Sequence, residues 1–242
     1  MTLRRFITGI VALVLASSLS AGTAQALSVD LITNGDFETG DLSGWTTTST
    51  RKEKDQRFVI DEGKKKEPPL SGNYDVTYET KHEGVATLTQ FFTVPSKVAS
   101  ATFSFTQQID ISKVIKIDKI VDWADQQFTV SVVDSLGAMI SEIYATTSQD
   151  IPKGDGTASM LSFDLTSLMQ AYAGDTLGIQ FSLAVVDKSM TVTLDGIAMM
   201  VETPAAVPLP ASIWMMLAGL GLFAFLGWKR RDAGNSTSFT LG

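Results

Sequence analysis

Ten short runs rich in Val, Ile, Thr, Phe and Tyr divide the middle of this chain, and turn residues separate several of them. They are Val29–Thr33, Arg57–Asp61, Asn73–Glu79, Val85–Val94, Val98–Gln107, Gln126–Asp134, Ala138–Thr146, Ser159–Leu165, Thr176–Val186 and Met190–Val201. Several alternate with period two, as in Thr102-Phe103-Ser104-Phe105-Thr106 and Phe128-Thr129-Val130-Ser131-Val132. That alternation is the mark of a half-buried strand. "SGN" at 71, "SLG" at 135, "GDG" at 154 and "AGD" at 173 punctuate the runs. One helical turn is expected at Thr166–Ala173, where Leu165, Leu168, Met169 and Tyr172 share a face and Gly174 suits the stop. Many short strands without βαβ alternation predict an all-β, two-sheet sandwich of jelly-roll type with one short helix.

Both ends of the chain read differently. Residues 1–26 run from Arg4 and Arg5 through an apolar stretch to Ala24-Gln25-Ala26, the order of a secretory signal peptide with Ala24 and Ala26 at its cleavage site. The alternative is an uncleaved anchor, but the apolar run is about half the roughly 20 residues a span needs. Residues 204–212 form a Pro-rich linker containing Val207, Pro208, Leu209, Pro210 and Ala211. Residues 213–228 carry no charge, with Trp214 and Trp228 near the two ends. At about 1.5 Å per residue this segment reaches about 24 Å as a helix, a short transmembrane anchor. Lys229, Arg230 and Arg231 then act as a stop-transfer cluster, leaving 229–242 as a basic cytoplasmic tail.

The domain expected at 27–203 is acidic. Residues 27–206 hold 14 Lys and Arg against 25 Asp and Glu, a net charge of −11. That excess repels nucleic acid and favours metal cations. The chain has no cysteine, which excludes disulfides, thiolate zinc sites and cysteine nucleophiles.

"VPLPAS", an apolar helix and "KRR", in that order near the C-terminus, resemble the sorting signal of the PEP-CTERM proteins in its VPLPA variant. The resemblance implies an exosortase-like membrane protease as partner, which recognises the proline motif and removes the helix. It also implies a Gram-negative bacterium that makes exopolysaccharide. The precursor would sit transiently in the inner membrane, and the product at the cell surface or in the extracellular matrix. The competing reading is an ordinary single-pass anchor.

"LITNGDFETGDLSGWT" at the start of the domain and "MTVTLDGIAMMVE" at its end resemble the galactose-binding-like jelly rolls that include many carbohydrate-binding modules, as does "AYAGDTLGIQFSL". In that family a structural calcium ion often staples the first strand to the last. Carried over, the resemblance implies calcium held by Glu38 and Asp195, with Asp36 as a third candidate. The alternative is that Glu38 caps a turn and Asp195 sits at a bulge before Gly196. Trp45, after Gly44, is expected in the core. Trp123, between Asp122 and Asp125, is the candidate sugar-stacking residue, and its alternative is the start of a strand. His82 is the only histidine, and no G-x-S-x-G, H-E-x-x-H or P-loop pattern occurs. A non-catalytic surface or matrix protein is the expected function. A carbohydrate-binding module with a specific glycan site is the alternative, and a glycan-active enzyme needing only two carboxylates is a third class.

Overall fold

The computed structural model describes residues 26–50, 56–63, 68–80, 84–111, 126–152, 156–185 and 190–205, together with 216, 219–221 and 223, which are helical. The chain divides into two units, one of Leu27–Pro204 and one formed by both termini. The expected signal peptide, the sorting segment and most of the expected membrane helix lie outside the described residues, as do His82 and Trp123. Among the described residues no helix is long and apolar enough to cross a membrane.

The first unit is a sandwich of two antiparallel sheets. Sheet A contains β1 (Leu27–Asp30), β3 (Gln56–Asp61), β4 (Asp75–Thr80), β6 (Ser100–Ile111), β9 (Ser159–Asp164) and β11 (Met190–Thr203). Its order is β3-β4-β11-β6-β9, and β1 also pairs with β11. Sheet B contains β2 (Thr46–Ser49), β5 (Gly84–Thr93), β7 (Gln127–Asp134), β8 (Met139–Thr147) and β10 (Thr176–Val185), in the order β2-β5-β10-β7-β8. The eight strands β4 to β11 therefore form two four-stranded layers, β4-β11-β6-β9 and β5-β10-β7-β8. That is the strand order of a jelly roll, with the expected two-sheet architecture.

Alternation explains which side chains close the core. Phe103 and Phe105 on β6, Phe128 on β7, Phe181 on β10, and Val192 and Leu194 on β11 are all fully buried. Phe181 is the meeting point of the layers. Its ring lies 5.4 Å from Phe105 at 84°, 6.3 Å from Phe103 and 6.3 Å from Phe128. Edge-to-face and offset contacts of this kind add to the area term. Among the described residues of this unit the one helix, α1 (Thr166–Ala171), ends two residues before the expected limit and buries Met169. Asp164 Oδ1 accepts the Thr166 N–H at 2.8 Å ahead of it.

β2, with the sequence TTTS and a mostly exposed surface, is the strand absent from the sequence reading. It has no apolar alternation and forms by pairing with β5, Thr46↔Thr89 to Ser49↔Ala86. Tertiary pairing, not pattern, decides it.

β11 changes register with β6 between Asp195 and Ala198. Asp195 opposes Thr106 and Ala198 opposes Ser104, so one extra residue is accommodated. Gly196 sits there with φ +57°. This is a β-bulge at a glycine, a device that redirects side chains.

Candidate functional site: an aspartate row on the outer face of sheet A

The opening motif is a structural device residue by residue. Asn34 adopts φ +52° and donates through Nδ2 to the carbonyls of Asp41 at 2.9 Å and Ser43 at 3.2 Å. Asp41 Oδ1 accepts from Ser43 N, Ser43 Oγ and Thr39 Oγ1. These donors hold its carboxyl below the usual range, the Ser43 hydroxyl most. Gly35 abuts the Ile197 carbonyl so closely that no Cβ fits. Phe37 and Trp45 enter the core 5.8 Å apart, and Trp45 Nε1 donates to the Asn34 carbonyl. Trp45 is thus a core residue, as expected.

Glu38 reaches a different part of the chain. Its carboxylate accepts the Asn73 N–H at 2.7 Å, Asn73 Nδ2 at 2.9 Å and the Tyr74 N–H at 3.1 Å. Those donors, the Asn73 amide first, hold its pKa below the ordinary value. It is exposed and caps the turn that precedes β4. Asp36 is also exposed; its Oδ1 is 3.4 Å from the Glu38 N–H, and it lines a separate crevice with Asp30, Asn34 and Gly196. Among the described residues no three Asp, Glu or His side chains converge as a metal-holding group. Of the residues named for the calcium that the resemblance implies, Glu38 and Asp195 are near enough for the charge of Glu38 to act on Asp195, and Asp36 faces the separate crevice.

What the fold does assemble is a row of aspartates. Asp61 on β3 pairs with Asp75 on β4. β4 meets β11 through Val76↔Leu194 and Thr77↔Thr193; one step back along that antiparallel register places Asp75 opposite Asp195. Val76 and Leu194 are fully buried, so their neighbours Asp75 and Asp195 project to the outer face. The same face carries Thr77 and Thr193, whose hydroxyls are 3.2 Å apart.

Although they face outward, Asp75 is only 4% exposed and Asp195 only 1%. The segment ahead of β4 folds over them. Leu70 N–H donates to Asp75 Oδ2 at 3.1 Å, and Gly196 N–H to Asp195 Oδ1 at 2.6 Å. Asp75 Oδ1 and Asp195 Oδ2 are buried and have no hydrogen-bond partner. Burial pushes the Asp75 pKa up to about 6; the Leu70 N–H opposes this, and the charges of Asp61 and Asp195 add to it. Burial likewise raises Asp195, opposed by Gly196 and by the Ser71 hydroxyl and amide, and assisted by the charge of Glu38. Desolvation and like charge act in the same direction on both groups.

Beside the row runs a groove of about 680 Å³, lined by Asp61, Asp75, Asp110, Thr77, Gln108 and Thr193 among others. None of its described lining residues is aromatic. Gln108 Nε2 donates to the Gly156 carbonyl and closes one side.

Asp61 and Asp75 were absent from the sequence reading. Asp75 stands beside the buried Val76 and Asp61 beside the half-buried Ile60, which was the available signal. Their convergence with Asp195 depends on β4 pairing with a strand more than a hundred residues away.

The comparisons with known proteins divide along the same boundary as the chain. Residues 206–231 match the PEP-CTERM protein-sorting motif. That motif marks an exported protein. No curated protein matches the sequence. Among solved structures, TmCBM61 in complex with beta-1,4-galactotriose aligns with TM-score 0.48 and 13% identity, over 71% of this chain and 97% of that one. A structure of carbohydrate-binding modules from the beta-sandwich superfamily aligns with TM-score 0.45 and 15% identity, over 68% and 60%. A Stig cyclase, Fisc, from Fischerella sp. TAU aligns with TM-score 0.48 and 15% identity, over 75% and 100%.

Proposed function

We propose that this is a non-catalytic surface or extracellular-matrix protein of an exopolysaccharide-producing Gram-negative bacterium. It is exported by its signal peptide, held in the inner membrane by residues 213–228, and released there by an exosortase-like protease. The match of residues 206–231 to the sorting motif carries this reading. The charge order supports it: Arg4 and Arg5 precede the first apolar run, and Lys229, Arg230 and Arg231 follow the last. Intact-mass analysis of the native surface protein tests it. The expected mature form lacks residues 1–26 and the segment from Ile213 to Gly242, and a mature form retaining the apolar helix overturns it.

The groove on sheet A favours one second reading, a carbohydrate-binding module. Its carboxylate, amide and hydroxyl groups match the donors and acceptors of a sugar, without an aromatic platform among the described lining. A glycan array on the full-length protein separates the two, with Gln108→Ala and Asp110→Ala as probes of the groove. Turnover of any polysaccharide in an activity screen would replace both with an enzyme.

A further inference from the structure

We propose that the outer face of sheet B is a docking surface for a neutral polysaccharide, with Phe91 as the residue that packs against the sugar rings. This rests on the carbohydrate-binding reading above and gives it a second surface, on the sheet that does not carry the aspartate groove.

The two sheets differ in charge. Every strand of sheet A carries at least one carboxylate, whereas the strands of sheet B carry only Asp134 and Glu142. Asp134 is spent on the β7–β8 turn, where its Oδ1 accepts the Leu136 and Ala138 N–H groups. On β10, Leu177, Ile179, Phe181 and Leu183 are buried in the core, so Gly178, Gln180 and Ser182 face outward.

One cross-strand row on this outer face is apolar. Phe91 pairs with Gly178, Gly178 with Val133, and Val133 with Met139. Four strands at about 4.8 Å spacing make this a strip about 14 Å long. Phe91 is 45% exposed at one end and Met139 66% at the other. The Phe91 ring lies against Gly178: a Cβ there would come within 2.9 Å of Phe91 Cδ1 and 3.0 Å of Val133 Cγ2. An aromatic ring covering a strand glycine is a packing device. Packing accounts for that one contact, but not for an apolar row that crosses four strands. The next outward row, about 7 Å along the strands, is polar. It runs through Thr89, Gln180, Ser131 and Glu142. Gln180 Nε2 donates to Thr89 Oγ1 at 3.1 Å, and Ser131 Oγ donates to Met139 Sδ at 3.6 Å, which ties the polar row to the strip.

A sugar ring is divided in the same way, with C–H groups on its faces and hydroxyls round its rim. An apolar strip with an aromatic side chain, bordered by hydroxyl and amide groups, fits a glycan lying across the strands. Charge selects the class. The domain's net charge of −11 repels an anionic chain. A cationic chain is drawn instead to the carboxylates of sheet A. A neutral chain meets a single outward acid, Glu142, at the end of the polar row. A second copy of this chain is the competing occupant of a bare sheet face. The strip and its polar row cover on the order of 200 Å², well short of the roughly 800 Å² per partner of a stable protein interface.

Arrays of neutral, uronic-acid and amine-bearing oligosaccharides, probed with the full-length protein in detergent micelles, test this. The wild type should bind neutral oligosaccharides. Phe91→Ala should weaken that binding by about tenfold or more, as loss of a central aromatic contact does, and Phe91→Tyr should largely keep it. Gln108→Ala, in the groove of sheet A, should leave it unchanged. Loss of binding in Gln108→Ala with retention in Phe91→Ala puts the sugar in the groove: it overturns this proposal and leaves the carbohydrate-binding reading standing. Binding to no oligosaccharide overturns both. Preference for uronic-acid or amine-bearing chains overturns the neutral class. Self-association that disappears in Phe91→Ala, measured by sedimentation in the same micelles, gives the face to a second copy and overturns the proposal as well. If Phe91→Ala fails to fold, Met139→Glu decides, because Met139 is exposed: it should weaken binding by a similar factor, and unchanged binding overturns the proposal.

Discussion

The carboxylate of Glu38 occupies the space where a side chain on Gly72 would begin. A Cβ built on Gly72 collides with Glu38 Oε1, and Gly72 has φ +59°. The opening motif and the turn before β4 are therefore fitted to each other at two positions far apart in sequence.

Gly72→Ala should destabilise the domain by about 1–3 kcal/mol, because it adds left-handed strain to the clash. Glu38→Ala in the same background should recover the part due to the clash and leave the part due to φ. Urea unfolding of the two single variants and the double variant measures both, since residues in contact show non-additive effects.

Phe181→Ala should cost about 3–5 kcal/mol, the range for removing a large aromatic side chain from a packed core. The ring is fully buried and touches phenylalanines from both sheets. Leu136→Ser is the control: Leu136 is 92% exposed at the β7–β8 turn and should change stability by less than about 0.5 kcal/mol. Chemical denaturation midpoints report both.

In chelator, Asp75 makes stability depend on pH in an unusual direction for a carboxylate. Its pKa stands at about 6 in the fold against an ordinary 3.8, so the folded state holds the proton more tightly than the unfolded one. The resulting stabilisation is complete below about pH 4 and is lost as pH rises through 6, a change on the order of 3 kcal/mol at most. Asp195 shifts in the same direction. Asp41, Asp150 and Asp164 are lowered by Ser43, Thr147 and Thr166 respectively, and act oppositely at lower pH. The difference in melting temperature between wild type and Asp75→Asn isolates the Asp75 part; it should widen in favour of the variant from pH 4 to pH 7.

Replacing Pro208 and Pro210 together with Ala should remove the extended segment ahead of the apolar run and leave the precursor in the inner membrane. Fractionation with detection of the unprocessed mass checks this. Normal release of the double variant would show that the prolines are not read.

The strands that carry the fold were legible because their alternation is local. Thr102 to Thr106 announces β6 without reference to any other segment, and Phe103 and Phe105 are buried as that pattern demands. β2 was not legible, since TTTS has no apolar face and exists only through its pairing with β5. The candidate site divides in the same way. Asp195 and Gly196 could be placed at a bulge from sequence, and the register shift lies there. Glu38 could be read as a turn cap, but not which turn, because Asn73 and Tyr74 are 35 and 36 residues away. Asp75 is invisible as a partner of Asp195 until the order β4-β11 is known. Order among distant strands is set by how the two layers close over the core.

β11 is last in sequence yet lies between β4 and β6 in sheet A, and it ends at Thr203, with the sorting motif match beginning at residue 206. During vectorial export this fixes a sequence of events. Until the final strand emerges, β4 and β6 have no neighbour between them, Asp75 has no opposite carboxylate, and β1 has no edge to join. Closure of the sheet waits for nearly the whole domain to arrive, as expected for pairings between distant segments. A chain cut short before Met190 lacks both the strand that completes the sandwich and the residues that match the sorting motif. The strand that completes the domain and the sorting motif thus emerge one directly after the other.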